Sequence, residues 1–132
     1  MNRRLLYVVV VCLLVGGNLV FAAEGASPAD TVIEFYNASQ DGDIGTMKQL
    51  IAGSFYNTRK VLLEENQEYG GFLRQHYQGI KVQIVNSVVK KDNTTAAVHV
   101  KIEFPDGGID TAKLLLKKGA DGTWKIVEEL NP

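Results

Sequence analysis

From residue 96 to residue 104 the chain alternates strictly. Ala96, Val98, Val100, Ile102 and Phe104 share one parity, and Ala97, His99, Lys101 and Glu103 share the other. A period of two belongs to an extended strand whose successive side chains leave opposite faces of a sheet. Such a strand cannot stand alone: its apolar face has to be covered while its polar face meets water. Three further segments repeat the pattern, through Ile80, Val82 and Ile84, through Ala112, Leu114 and Leu116, and through Trp124 and Ile126, ending near Leu130. Val85 directly follows Ile84, and a β-bulge would absorb that change of parity. Asp92-Asn93, Pro105-Asp106-Gly107-Gly108 and Gly119-Ala120-Asp121-Gly122 separate the segments with residues that preset or permit turn torsions. Four strands joined this way predict an antiparallel meander. Its outer face would carry Lys101, Glu103, Lys113, Lys117, Lys125 and Glu129.

The cover must come from the residues before Ile80, where the period becomes helical. Ser27 can cap a helix with Pro28 in its first turn and Asp30 at its positive end. Ala29, Val32, Ile33 and Tyr36 recur at helical spacing with Phe35 beside them, and Gly42 is a stop. Asp43 can cap a second helix with Ile44, Met47, Leu50 and Ile51 on one face, ended by Gly53. Asn57 or Thr58 would open a third, running through Val61, Leu62 and Glu65. Gly70-Gly71 reads as a joint before a shorter helix bearing Tyr69, Leu73, His76 and Tyr77, with Phe72 close to that stripe. Helices first and strands after predict an α+β domain, with N-terminal helices packed on one face of a curved antiparallel sheet.

The N-terminus has a different character. Met1-Asn2-Arg3-Arg4 is a short basic head, Leu5 to Val15 is apolar, and Val20-Phe21-Ala22 offers small residues three and one before a cut. That is the layout of a secretory signal peptide, residues 1–22, followed by a tether at 23–27 and a single domain at 28–132. The expected location is therefore exported, periplasmic or secreted; the alternative is an uncleaved N-terminal segment acting as a membrane anchor. Removing the leader removes Arg3, Arg4 and the single cysteine, Cys12. The remaining 12 basic residues then face 15 acidic ones, a net charge of −3, and no intrachain disulfide can form. The basic residues form no run along the sequence, so nucleic acid is not an expected partner.

The Ser27-Pro28-Ala29-Asp30 opening, Phe35-Tyr36 within the helix, Gly42-Asp43 between helices and Asp121-Gly122-Thr123-Trp124-Lys125-Ile126 at the last hairpin resemble the nuclear transport factor 2-like superfamily. The resemblance covers nearly all of Pro28 to Leu130 and is closest to small bacterial exported members of unknown function. It implies the cone-shaped, cystatin-like α+β fold. Enzymes of that superfamily include ketosteroid isomerases and polyketide cyclases, which use a tyrosine and acidic groups in the cone. With Gly42-Asp43 as anchor, the isomerase tyrosine falls on Phe35, whose ring donates no hydrogen bond to an enolate. No acid maps onto the isomerase base, so no catalytic residue is assigned.

Phe35, Tyr36, Tyr69, His76, Tyr77, Phe104 and Trp124 are the candidate pocket-lining residues, a polar-tipped aromatic set suited to a small apolar ligand. The plainer account is amphipathic packing, in which tyrosines bury a ring and keep the hydroxyl at the rim. His76 with Glu65 or Glu68 could pair a base with an acid, whereas His99 falls on the polar strand face. Two distant histidines make no zinc motif, and Asp41-Gly42-Asp43 lacks the other ligands of a calcium loop, so neither metal nor cofactor is expected. The expected function is a non-catalytic, exported module binding a small apolar ligand or an envelope protein, as a monomer or weak dimer. The alternatives are an isomerase, dehydratase or cyclase using tyrosine and histidine, and a structural or assembly domain.

Overall fold

The computed structural model describes residues 26–130. The leader assigned to 1–22 lies outside these residues, as does most of the tether. Helix α1 (Pro28–Asp41) starts as its sequence requires. The Ser27 hydroxyl accepts from the Asp30 amide at 3.1 Å, and the Asp30 carboxylate accepts from the Ser27 amide at 3.2 Å, a reciprocal capping box. The helix ends at Gly42, whose φ of 68° is left-handed. Asp43 then caps α2 (Ile44–Gln49), accepting from the Thr46 amide at 3.1 Å.

The next stretch differs from expectation. Gly53 does not end a helix; it opens α3 (Gly53–Asn57). Helix α4 (Lys60–Glu65) follows Arg59, and α5 spans Tyr69–Tyr77. The break between α4 and α5 falls at residues 66–68, where the Asn66 side chain accepts from the Glu68 amide at 2.9 Å. Gly70-Gly71 lies inside the first turn of α5. The reason is a backbone crossing. A Cβ on Gly42 would sit 2.5 Å from the Gly70 carbonyl oxygen, and one on Gly70 would sit 3.0 Å from that of Gly42. The glycines let the end of α1 and the start of α5 touch, a requirement that helix propensity alone does not reveal. On α4 it is Leu63 that is buried, while Val61 and Leu62 face out.

Strands β1 (Lys81–Val89), β2 (Thr95–Glu103), β3 (Ile109–Lys118) and β4 (Trp124–Leu130) form one antiparallel sheet in the order β1-β2-β3-β4. The pairing of β1 with β2 shifts between Ile84 and Asn86, so the expected bulge is present. Val98, Val100, Leu114, Leu116 and Ile126 are fully enclosed, joined from the helices by Val32, Phe35, Met47, Phe55, Leu63 and Leu73. Each large aliphatic side chain so buried contributes about 1.5–3 kcal/mol. The free edge of β4 is held by the chain after α2: the Ile126 amide donates to Leu50 and the Ala52 amide donates to Ile126, both at 2.9 Å. The free edge of β1 carries exposed Val85, Val88 and Val89.

A second bulge corrects the sequence reading. The β3–β4 register passes from Leu116 opposite Ile126 to Leu115 opposite Glu128, leaving Val127 as the extra residue. Glu129 then pairs with Leu114, a residue of the inner face. Strict alternation put Glu129 outside; the bulge turns it inward.

The crossing at Gly42 gives a direct test. Gly42→Ala combines a left-handed torsion with a backbone clash, and is expected to destabilise the domain by about 3 kcal/mol. Gly107→Ala, at φ 94° with open space around its Cβ, is expected to cost about 1 kcal/mol. Urea unfolding of both variants measures the difference, and equal costs would contradict the crossing.

Candidate functional site

Three elements meet at the end of the sheet where β3 begins and β4 ends, called the wide end. Helix α1 supplies Phe35 and Tyr36 on its buried face because the two are adjacent and both lean toward the sheet. Helix α5 brings Tyr77, whose ring stands 6.2 Å from that of Tyr36 at 65°. The α3–α4 junction brings Arg59. Its guanidinium lies 3.5 Å over the Phe55 ring, donates to the Phe55 carbonyl at 3.0 Å, and reaches the Glu129 carboxylate at 3.6 Å. The sheet contributes two acids to its inner face: Asp110, paired with buried Ile102, and Glu129, paired with buried Leu114. Arg59, Asp110 and Glu129 were not picked out from the sequence. The parity of Asp110 with Ala112, Leu114 and Leu116 was the available signal; the inward turn of Glu129 depends on the bulge at Val127.

Tyr36 is the most constrained polar group here. Its side chain is 9% exposed, and no hydrogen bond to its hydroxyl is made among the described residues. Burial holds the phenol well above the ordinary tyrosine range, reinforced by Tyr77, Glu129 and Asp110 and opposed by Arg59. Burial likewise raises Tyr77, with Tyr69 and Asp110 adding to it. Both phenols are therefore protonated at neutral pH, with Asp110, Glu129 and Arg59 close enough to act on their charge. A buried, unpaired hydroxyl costs about 1–3 kcal/mol. The Arg59–Glu129 pair, partly open to water, contributes at most about 1 kcal/mol.

The other candidates divide between different places. Tyr69 is half-buried on the first turn of α5, with its ring stacked on Phe72 at 6.3 Å. His76 is exposed; its ring lies parallel to Phe72 at 5.7 Å and edge-on to Phe104 at 5.5 Å. Phe104 also stacks against Tyr77 at 6.1 Å, so it bridges the buried tyrosines to this outer row. His76 makes no hydrogen bond or ion pair to an acid among the described residues, and its ring meets Phe72, Tyr77 and Phe104. Trp124 lies at the opposite end of the sheet, where β3 ends and β4 begins. There it borders a depression of about 380 Å³ with Thr31, Glu34, Gln49 and Leu50, under the Lys118 ammonium at 5.3 Å. Phe35, Tyr36 and Tyr77 thus share the wide end, and Trp124 does not. His99 sits on the outer face opposite Lys113. Among the described residues no group of three or more His, Cys, Asp or Glu side chains is placed to hold a metal ion, and no helix is long and apolar enough to cross a membrane.

The comparisons agree with this architecture. The family profile described as "Domain of unknown function (DUF4878)" matches residues 20–127. Among solved structures, a candidate nuclear transport factor 2-like transpeptidase from Campylobacter jejuni aligns with a TM-score of 0.59 at 15% identity, covering 78% of this chain and 99% of that one. A nuclear transport factor 2-like protein of unknown function from Shewanella baltica aligns at 0.56 with 12% identity, covering 85% and 94%. A protein of unknown function with a cystatin-like fold from Methylobium petroleophilum aligns at 0.47 with 12% identity, covering 88% and 81%. No curated protein matches the sequence. The fold is nuclear transport factor 2-like, and at these identities the likeness speaks to the fold alone.

The Tyr36 hydroxyl makes a two-sided prediction. Tyr36→Phe removes an unpaired buried group and is expected to leave the domain as stable as the parent, or more stable by about 1 kcal/mol. Because the folded phenols are raised, stability is full below the unfolded tyrosine value near 10 and falls as pH climbs from there toward the folded value. Denaturation followed against alkaline pH should show a shallower fall in Tyr36→Phe. A variant more than about 2 kcal/mol less stable would mean the hydroxyl is paired after all.

Proposed function

This chain belongs to the DUF4878 domain family, and from that premise we propose that it is an exported, non-catalytic binding module that takes a small ligand at the wide end of its cone. The observation that carries the reading is the Tyr36 hydroxyl, buried and without a hydrogen-bond partner among the described residues, near Tyr77, Asp110, Glu129 and Arg59. A group kept at a cost to the free protein is expected where a ligand supplies the missing partner. The ligand therefore carries an oxygen acceptor that meets the phenols. Export rests on the basic head, apolar run and small residues of positions 1–22.

A second reading draws on one feature of the same lining. Two protonated phenols and two carboxylates are also the parts of an acid–base site of isomerase, dehydratase or cyclase type, with a phenol stabilising an enolate and a carboxylate moving the proton. The carboxylates stand near the mouth, and Glu129 is occupied by Arg59, which favours binding over chemistry.

The test uses the full chain expressed with its leader. Export predicts a periplasmic product whose N-terminus is Ala23; an intact N-terminus in the cytoplasm contradicts it. Thermal shift against ketone- and carboxylate-bearing amphiphiles should find hits that stabilise the parent, with at least tenfold weaker affinity in Tyr36→Phe, about 1.4 kcal/mol. Hits indifferent to Tyr36→Phe, or none, would overturn the assignment. Exchange of the α-protons of a ketone hit into deuterated water would select the catalytic reading instead.

A further inference from the structure

The exposed face of α4 and α5 holds a feature that neither the core nor the cone uses. Phe72 is 58% exposed and Leu62 40%, and both belong to a groove of about 580 Å³ lined by Leu62, Asn66, Glu68, Tyr69, Phe72 and Gln75. Exposed large apolar side chains gathered in one place mark a contact surface more often than scattered single ones do. The aromatic floor is held in place. The Phe72 ring is nearly parallel to Tyr69, at 12°, and to His76, at 8°, and His76 in turn meets Phe104 and Tyr77 edge-on. Around this floor stand Asn66, Glu68 and Gln75. The Asn66 side-chain oxygen accepts from the Glu68 amide, which leaves its NH₂ group to donate outward. The Gln75 amide and the Glu68 carboxylate make no hydrogen bond or ion pair among the described residues.

The chemistry of the groove narrows its occupant. A single-stranded nucleic acid also stacks on aromatic rings, but it needs a positive channel. This groove and the depression beside it are lined by Glu65 and Glu68 and by no Lys or Arg. Polyanions and anionic lipid surfaces are therefore repelled. A wholly apolar ligand would strand the amide and carboxylate groups of the rim without partners. What fits both floor and rim is a molecule with a flat C–H face and a hydroxylated edge. The C–H face of a sugar ring presents positive hydrogens to the negative face of an aromatic ring, and its hydroxyls both donate and accept. We propose that the α4–α5 groove binds a neutral oligosaccharide, with one sugar ring on Phe72 and its hydroxyls on Asn66, Glu68 and Gln75. This site is separate from the wide end of the cone and stands or falls without it.

The experiment titrates the chain with short neutral glucose and N-acetylglucosamine oligomers and follows amide resonances. The expected result is a weak, millimolar-range Kd with shifts confined to residues 62–76. Phe72→Ala should weaken binding by about tenfold or more, and Gln75→Leu by a few fold. Lys113→Ala on the outer sheet face should leave it unchanged. Both groove residues are exposed, so each variant should keep the parent spectrum elsewhere, which separates lost binding from lost folding. The absence of shifts at millimolar sugar would overturn the proposal, and so would a Phe72→Ala variant that binds as the parent does. Equal shifts with a short oligonucleotide, or self-association in light scattering that Phe72→Ala abolishes, would assign the groove to another occupant.

Discussion

Everything in this domain depends on one face of β2 and β3 being sealed from water. Val98, Val100, Leu114 and Leu116 are fully enclosed in one core with side chains of the helices, α1 lying against β1, β2 and β4 and α3 against β4. Their burial is the driving term, and it dictates where the rest may go. The helices must cover the sheet, the polar parity must face out, and a polar group left on the inner face either lies at the open end or is buried. Asp110 and Glu129 take the first course and the Tyr36 hydroxyl the second.

The wide end is therefore a place where the folding rule and the functional rule part company. A phenylalanine at position 36 would satisfy packing alone; the tyrosine adds a donor in a low-dielectric setting that raises its pKa and keeps its proton in place. Arg59 is anchored before any ligand arrives, by the Phe55 ring and carbonyl and by Glu129, so its charge is already positioned. Preformed donors of this kind reduce the ordering cost of binding, because the side chains do not have to be collected at the moment of contact.

Much of this was legible in the residues. The strict parity from Ala96 to Phe104 declared a one-sided strand, the Ile84-Val85 step declared a bulge, and Ser27-Pro28-Ala29-Asp30 declared a helix start; all three are present. What failed did so for two kinds of reason. Gly70-Gly71 looked like a joint because glycine weakens helices, yet it lies within a helix, and Gly70 is needed where Gly42 from another element presses against it. Glu129 looked external because strict alternation was carried past Ile126-Val127, where an isoleucine followed by a valine marks a second bulge as Ile84-Val85 marks the first. Arg59 was invisible as a site residue, since only tertiary packing carries it from a loop to the mouth of the cone. Spacing along the chain does not say which end of the domain an aromatic ring will reach. Trp124 and Tyr36 lie on opposite ends for that reason.

Native-state hydrogen exchange tests the sealed sheet most directly. If the covered face of β2 and β3 carries the stability of the fold, amides between Ala96 and Ile102 and between Ala112 and Leu116 should exchange only through global unfolding, at the full free energy of the domain. The α4–α5 segment should open earlier. Slowest exchange in α4 and α5, with β2 and β3 exchanging through local opening, would contradict the account.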